Sequence, residues 1–313
     1  MRNAFINTLM LLAEKEERIY LLTGDAGFTI LERFIEKFPG RYLNVGIAEA
    51  NLIGVAAGLA LSGKIVFCYS IIPFVTMRCF EQVRVDLCYQ KLPVKLVGVG
   101  EGVTYGTAGA THHAIEDIAI MRALPNMTVI CPGDPFEMEN AVAASLALSG
   151  PCYIRLGKSG EAKIHASREI GFTLGRGIKV REGQGAVLIS TGNMLPAAAE
   201  ICRKLAERGF QPGLVSMHTV KPIDRDLIQA LPARYRLVAT LEEHNVIGGL
   251  SSAVGDVILE EQLPLRLIKF AIPDRYACVA GSQEYLRKDF GLATDDILAR
   301  LEQEMRRSGI TDK

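Results

Sequence analysis

Short runs of β-branched and aliphatic residues alternate with stretches of helical periodicity along most of the chain, and this alternation constrains the fold more than any other feature. Arg18-Ile19-Tyr20-Leu21-Leu22-Thr23 reads as a strand closed by the turn Gly24-Asp25-Ala26-Gly27. Residues 28–38 carry apolar positions at helical spacing and stop before Pro39-Gly40. The cycle then repeats. Strands are expected at 42–45, 65–69, 94–99, 128–131 and 152–156, and helices at 50–61, 75–90, 115–123 and 135–148. Strands separated by helices of roughly 10–15 residues form βαβ units and a mostly parallel sheet.

After a polar stretch around 158–183, a second series opens at Ala186-Val187-Leu188-Ile189 and continues with strands at 213–215, 237–240 and 265–270. A chain of 313 residues is long enough for two domains of about 150 residues each. The boundary is placed near residue 170, giving domains 1–170 and 171–313. The expected class is α/β, with two doubly wound, mostly parallel-sheet domains. Such domains place their sites in loops at the carboxyl ends of the strands.

Composition narrows the functions open to these loops. Lys+Arg and Asp+Glu are both 35, so the basic excess or basic block that phosphate backbones require is missing and no nucleic-acid partner is expected. No run of about 20 apolar residues marks a membrane span. The start, Met1-Arg2-Asn3-Ala4-Phe5, soon meets Glu14, Glu16 and Glu17 and is not a secretory signal. Seven scattered cysteines, none spaced C-x-x-C, and five histidines give no metal-ligand pattern. Free thiols point to a reducing compartment, so a cytoplasmic location is expected.

The most informative loop is Asn44-Val45-Gly46-Ile47-Ala48-Glu49, which runs from a short strand into the Ala/Gly-rich segment 50–60. A carboxylate in the first turn of a helix is favoured by the helix dipole whatever its function. The string Gly46-Ile47-Ala48-Glu49-Ala50-Asn51, followed by Gly54-Val55-Ala56-Ala57-Gly58-Leu59-Ala60, resembles the pyrimidine-binding domain of transketolase and its thiamine-diphosphate-dependent relatives. The resemblance continues through Arg78-Cys79-Phe80-Glu81-Gln82-Val83-Arg84, Gln90-Lys91-Leu92-Pro93-Val94 and Thr111-His112-His113-Ala114-Ile115-Glu116-Asp117. Leu241-Glu242-Glu243-His244-Asn245 through Gly248-Gly249-Leu250 is similar to the family's C-terminal domain, so the likeness spans about residues 15–305.

The resemblance implies thiamine diphosphate as cofactor and Glu49 as the carboxyl group that binds its aminopyrimidine. A carboxyl hydrogen-bonded to the pyrimidine ring nitrogen favours the imino tautomer, which lets the exocyclic nitrogen take the thiazolium proton. It also implies His112 as a catalytic and substrate-binding histidine that meets the donor's hydroxyls, and His113, beside it in the same loop, is expected among the substrate-binding residues. Lys158 stands at the family's phosphate-binding arginine position. A lysine binds phosphate as a point charge, without the fork of arginine. Asp25, in the first strand's turn, corresponds to an acid near the cofactor, although Asp and Gly are ordinary turn residues.

The chain departs from the family at several positions. Ile72 and Val75 stand where pyrimidine-stacking aromatics are usual, which makes Phe74 the candidate ring. Ala108 replaces an Asp that recognises a donor hydroxyl, Ala110 replaces a Pro, and Gly100 replaces a phosphate-binding His. Gly98-Val99-Gly100-Glu101-Gly102 lacks the spacing of a dinucleotide loop. Asp25 and Asn51 mimic the spacing of the family's diphosphate motif, but Ala26 takes the place of its second Gly and the helix context is wrong.

A diphosphate with Mg²⁺ needs a cradle of oxygen ligands. The resemblance therefore implies the C-terminal half of a split enzyme, with Mg²⁺ held mainly by an N-terminal pyrophosphate-domain subunit. The expected reaction is transfer of a two-carbon ketol unit from a ketose to an aldose, in an α2β2 assembly with sugar substrates. The alternatives are the β subunit of a 2-oxo-acid dehydrogenase, a deoxyxylulose-phosphate-synthase-like carboligase, or a non-catalytic regulatory homologue.

Overall fold

A computed structural model describes residues 1–158 and 160–310. The segment expected at 171–313 thus runs three residues past the described part. Among the described residues, twelve strands form two sheets. The first six are β1 (Ile19–Thr23), β2 (Tyr42–Asn44), β3 (Ile65–Ile71), β4 (Val94–Val99), β5 (Thr128–Ile130) and β6 (Cys152–Leu156). They lie parallel in the order β5-β6-β4-β3-β1-β2. Every residue of β4 and β6 is buried, which is why they read as mostly apolar runs, each with one enclosed cation (Lys95 and Arg155), rather than alternating ones.

Helices cover both faces of this sheet. Glu49–Leu61 and the segment 72–92 pack on one face through Leu52, Ile53, Ala56, Ile72, Val75 and Leu87. Arg2–Ala13 and Pro135–Ser145 pack on the other through Phe5, Leu9, Met138 and Val142. Asp134 caps Pro135–Ser145 by accepting a hydrogen bond from the Glu137 amide at 2.8 Å, and Pro135 occupies the first helical position, where no amide donor is needed.

The second sheet contains β7 (Ile178–Arg181), β8 (Gly185–Ser190), β9 (Gly213–Ser216), β11 (Tyr235–Asn245) and β12 (Arg266–Ile272), in the order β12-β11-β8-β9-β7. All pairs are parallel except the edge pair β7–β9. Leu195–Glu207 and Thr294–Arg307 cover one face, and Arg225–Ala230 and Leu250–Glu260 the other. Both halves are doubly wound α/β sandwiches.

Four details differ from the expected pattern. The helix expected at 28–38 is confined to Glu32–Lys37, because the chain before it is a turn in which Asp25 and Thr29 have φ of 57° and 66°. The helix expected at 75–90 begins earlier and is interrupted. Pro73 starts Ile72–Thr76, Phe80–Gln82 follows, and Val83–Tyr89 has the wider winding of a π-helix. The N-terminal helix Arg2–Ala13 was not anticipated. Finally β10 (Thr219–Lys221) leaves its own half and pairs antiparallel with β5, adding an edge strand to the first sheet.

A buried ionic network fastens the two halves together. Arg155 on β6 is fully enclosed, and its Nε donates to Asp117 Oδ2 at 2.7 Å and its Nη1 to Glu101 Oε2 at 3.1 Å. Its Nη2 donates to the Ala114 carbonyl at 2.9 Å and to the Glu243 carbonyl on β11 at 3.1 Å, while the Glu243 carboxylate accepts from the Val103 amide at 2.7 Å and pairs with Arg287. A guanidinium offers five donors in a fixed fork, which suits one buried cation shared by two acids and two carbonyls.

Candidate active site

Five loops leave the carboxyl ends of β1, β2, β3, β4 and β6, and they carry Asp25, Glu49, Phe74, the segment 100–113 and Lys158. Parallel order makes all five open on the same side of the sheet. Glu49 is the first residue of Glu49–Leu61, and its residue is only 1% exposed. The turn before it uses Gly46 at φ 77°, a conformation that costs glycine nothing. A Cβ on Gly24 would lie 3.3 Å from Glu49 Oε1, so the backbone after β1 passes directly against the carboxylate.

A continuous wall of side chains runs outward from Glu49. Arg78 Nη1 lies 2.8 Å from Glu49 Oε2, and the same guanidinium sits 4.2 Å from the centroid of the Phe74 ring. Phe74 meets His112 edge-on, with ring centroids 5.3 Å apart at 72°. His112 is followed by Tyr105 at 6.3 Å, and Lys158 Nζ stands 5.0 Å from the Tyr105 centroid. The Thr111 hydroxyl lies 3.0 Å from His112 Nδ1 and fixes the ring's orientation. Phe74 and His112 are half-buried, whereas Ile72 and Val75 are fully enclosed in the core and offer no face to a ligand.

Asp25 and His113 lie apart from this wall. Asp25 exchanges two hydrogen bonds with Asn44: its amide donates to Oδ1 at 3.1 Å and its Oδ1 accepts from Nδ2 at 3.0 Å. The pair lines a cavity of about 130 Å³ together with Phe28 and Tyr42. His113 is buried, and burial lowers its pKa despite opposing contributions from Gly106, Glu243 and Glu116. Lys158 has no ion pair among the described residues, and its backbone carbonyl accepts from Arg2 Nε at 2.5 Å.

Two wall residues carried no assignment in the sequence. Arg78 lay inside a quoted motif, and its only local signal is a charge between Met77 and Cys79-Phe80. Tyr105 had no signal at all. Gly100, where the resemblance would place a histidine, has φ 95°, and a Cβ there would collide with Cδ2 and Cε2 of the Tyr105 ring. The tyrosine ring takes the space that a side chain at position 100 would use.

Glu101, at the root of the same loop, is held up to about 8 by burial, with Arg155 pulling in the opposite direction. Cys79, behind Glu49, is pushed up to about 12, chiefly by burial and secondarily by the Glu49 charge, so it is an inert thiol.

The arrangement fits the pyrimidine end of thiamine diphosphate. A buried carboxylate at a helix N-terminus, backed by glycine and flanked by a half-exposed ring, can hydrogen-bond a ring nitrogen and pack against a flat heterocycle. Among the described residues no group of three or more Asp, Glu, His or Cys side chains is placed to hold a metal ion.

Comparisons with known proteins place these features in a family. The model of the transketolase pyrimidine-binding domain matches residues 1–160, and that of the transketolase C-terminal domain matches residues 175–297. A putative transketolase C-terminal section from Methanocaldococcus jannaschii is 38% identical over 309 residues, covering 98% of this chain and 96% of that protein. A 6-deoxy-6-sulfo-D-fructose transketolase subunit from Clostridium sp. (strain MSTE9) is 37% identical over 299 residues, covering 95% of this chain and 92% of its own length. Among solved structures, a split-gene transketolase described as an inactive β4 tetramer matches with a TM-score of 0.88 and 37% identity, over 97% of this chain and 98% of the other.

Proposed function

The chain belongs to the transketolase family, and we propose that it acts as the C-terminal subunit of a two-subunit, thiamine-diphosphate-dependent transketolase. The observation that carries this reading is the buried Glu49 carboxylate at the head of the wall formed by Arg78, Phe74, His112, Tyr105 and Lys158. When bound, thiamine diphosphate supplies the carbon nucleophile and electron sink that carry a two-carbon ketol unit from a ketose to an aldose.

Glu49, Phe74, His112 and Lys158 each have a defined task. Glu49 hydrogen-bonds the pyrimidine ring nitrogen and holds the proton shared at that atom. Phe74 offers an aromatic face to the pyrimidine in place of the enclosed Ile72 and Val75. His112, oriented by Thr111, hydrogen-bonds a substrate hydroxyl through Nε2. Lys158 meets the far end of the sugar. Asp25 borders the cofactor-facing loop, and His113, buried in the same loop as His112, is the remaining substrate-binding candidate.

An N-terminal pyrophosphate-domain subunit holds Mg²⁺ and the diphosphate. The exposed stripe Ala50, Gly54, Gly58 and Leu61 on the helix that begins at Glu49 offers that subunit a close approach, since neither glycine has an atom within 4 Å of its Cβ position. Symmetric closure gives an α2β2 assembly. No helix among the described residues is long and apolar enough to cross a membrane, and the unpaired thiols suit the cytoplasm. The boundary between the two functional parts is set near residue 170, in the chain between β6 and β7.

Glu49→Gln tests this assignment. In the complex with the N-terminal subunit, it is expected to leave folding and assembly unchanged while slowing proton exchange at the cofactor's thiazolium carbon by 100-fold or more, within the roughly 10²–10⁴ range of proton-transfer catalysis. An unchanged exchange rate would remove Glu49 from the chemistry.

A further inference from the structure

We propose that Tyr105 is a specificity-determining residue that limits the length of the aldose acceptor. This inference rests on the transketolase reading and concerns the end of the site farthest from Glu49. Along the wall, Glu49 marks the end where the cofactor ring sits, His112 stands in the middle, and Tyr105 and Lys158 form the far end. A sugar extending away from Glu49 past His112 meets the Tyr105 ring next.

Three features hold that ring in place. Gly100 has no side chain, and the ring edge fills the space a Cβ there would need. The next residue, Gly106, is pressed against the C-terminal half, so that a Cβ on it would strike the Gly281 carbonyl, while the Gly281 amide donates to the Gly106 carbonyl at 3.3 Å. Tyr105 is therefore fixed on both sides in sequence, by Glu101 in the Arg155 network and by Gly106 against Gly281. Its phenol pKa is raised, mainly by burial, so the ring is neutral and serves as an apolar barrier with one hydroxyl.

Lys158 Nζ rests 5.0 Å from the ring centroid and has no carboxylate partner among the described residues. A cation–π contact at an exposed site contributes only about 0.5–1 kcal/mol, so this ammonium is free to follow a ligand. The ring is the fixed part of the far end and the lysine the mobile part. Length discrimination accordingly belongs to Tyr105.

The test is a series of unphosphorylated aldoses from three to six carbons, offered as acceptors to the complex with the N-terminal subunit and a fixed ketose donor. The variants are Tyr105→Ala and Tyr105→Phe. The wild-type complex is expected to lose kcat/KM as the acceptor lengthens. Tyr105→Ala should raise kcat/KM for five- and six-carbon acceptors by about tenfold or more relative to the three-carbon one, the scale at which pockets reject an added carbon. That gain should lie in the acceptor KM. Tyr105→Phe should keep the wild-type length profile, because it keeps the ring. An unchanged length profile in Tyr105→Ala, beside an active wild-type complex, would overturn the proposal and leave the transketolase reading standing. A wild-type complex that transfers no ketol unit to any acceptor would overturn both.

Discussion

Glu101→Gln should make the protein more stable at pH 8.5 and leave it nearly unchanged at pH 4. Glu101 is fully enclosed, its Oε2 lies 3.1 Å from Arg155 Nη1, and its Oε1 has no hydrogen-bond partner. Burial holds its carboxyl up to about 8, against a reference of 4.5. The folded state therefore keeps a proton that the unfolded chain releases above pH 4.5. Stability from this group is fully present below pH 4.5, falls through the interval, and reaches its minimum above pH 8.

At about 1.4 kcal/mol per pH unit, that interval corresponds to at most ~5 kcal/mol. Relaxation and water entry around a buried charge reduce such penalties, so about 2–3 kcal/mol is the expected gain for a glutamine at pH 8.5. Urea denaturation of the isolated chain at both pH values measures it, with matched m-values confirming that the unfolded states are comparable. A Glu101→Gln chain that is less stable than wild type at pH 8.5, or one whose stability falls with pH as steeply as wild type, would refute the reasoning. It would mean that the ionised Glu101–Arg155 pair stabilises the junction.

Two further substitutions probe the cofactor end and the proposed partner face. Arg78→Met leaves the enclosed Glu49 carboxylate without its 2.8 Å partner. Because the Arg78 side chain is 45% exposed, the cost should be about 1–2 kcal/mol rather than the 3–5 of a fully buried pair, read from the denaturation midpoint of the isolated chain; no loss would show that water already satisfies Glu49. Gly58→Leu should raise the isolated chain's stability by roughly 0.5–1 kcal/mol, since it improves helix propensity in open space. The same change should abolish co-elution with the N-terminal subunit in size-exclusion chromatography, and normal assembly would place the partner elsewhere.

Much of the fold was legible because it rests on local rules. β4 and β6 are buried on both faces, so their sequences are mostly apolar, each broken by a single buried cation (Lys95 and Arg155), and the pattern leaves little choice of structure. The failures occurred where tertiary contacts outweigh local preference. Residues 28–31 have helical apolar spacing, yet the left-handed turn at Asp25 and Thr29 delays the helix to Glu32. β10 is three residues long and is a strand only because β5 offers it an edge.

The candidate site divides in the same way. Glu49 and His112 sit in contiguous strings whose resemblance to a family could be read directly. Arg78 and Tyr105 acquire meaning only through what they touch, Glu49 across 29 positions in one case and the side-chain-free Gly100 in the other. The network of Glu101, Asp117, Arg155 and Glu243 is drawn from four separate segments with no spacing to reveal it.

The most direct test of the account is cofactor binding by the chain with and without its complement. The purified chain would be titrated with thiamine diphosphate and Mg²⁺ in a calorimeter and assayed for turnover of a ketose donor, first alone and then with a pyrophosphate-domain subunit. The account predicts no tight binding and no turnover from the chain alone, and both upon addition of the second subunit. Tight binding and full turnover by the chain alone would contradict it, because a complete diphosphate site would then have to exist within these 313 residues.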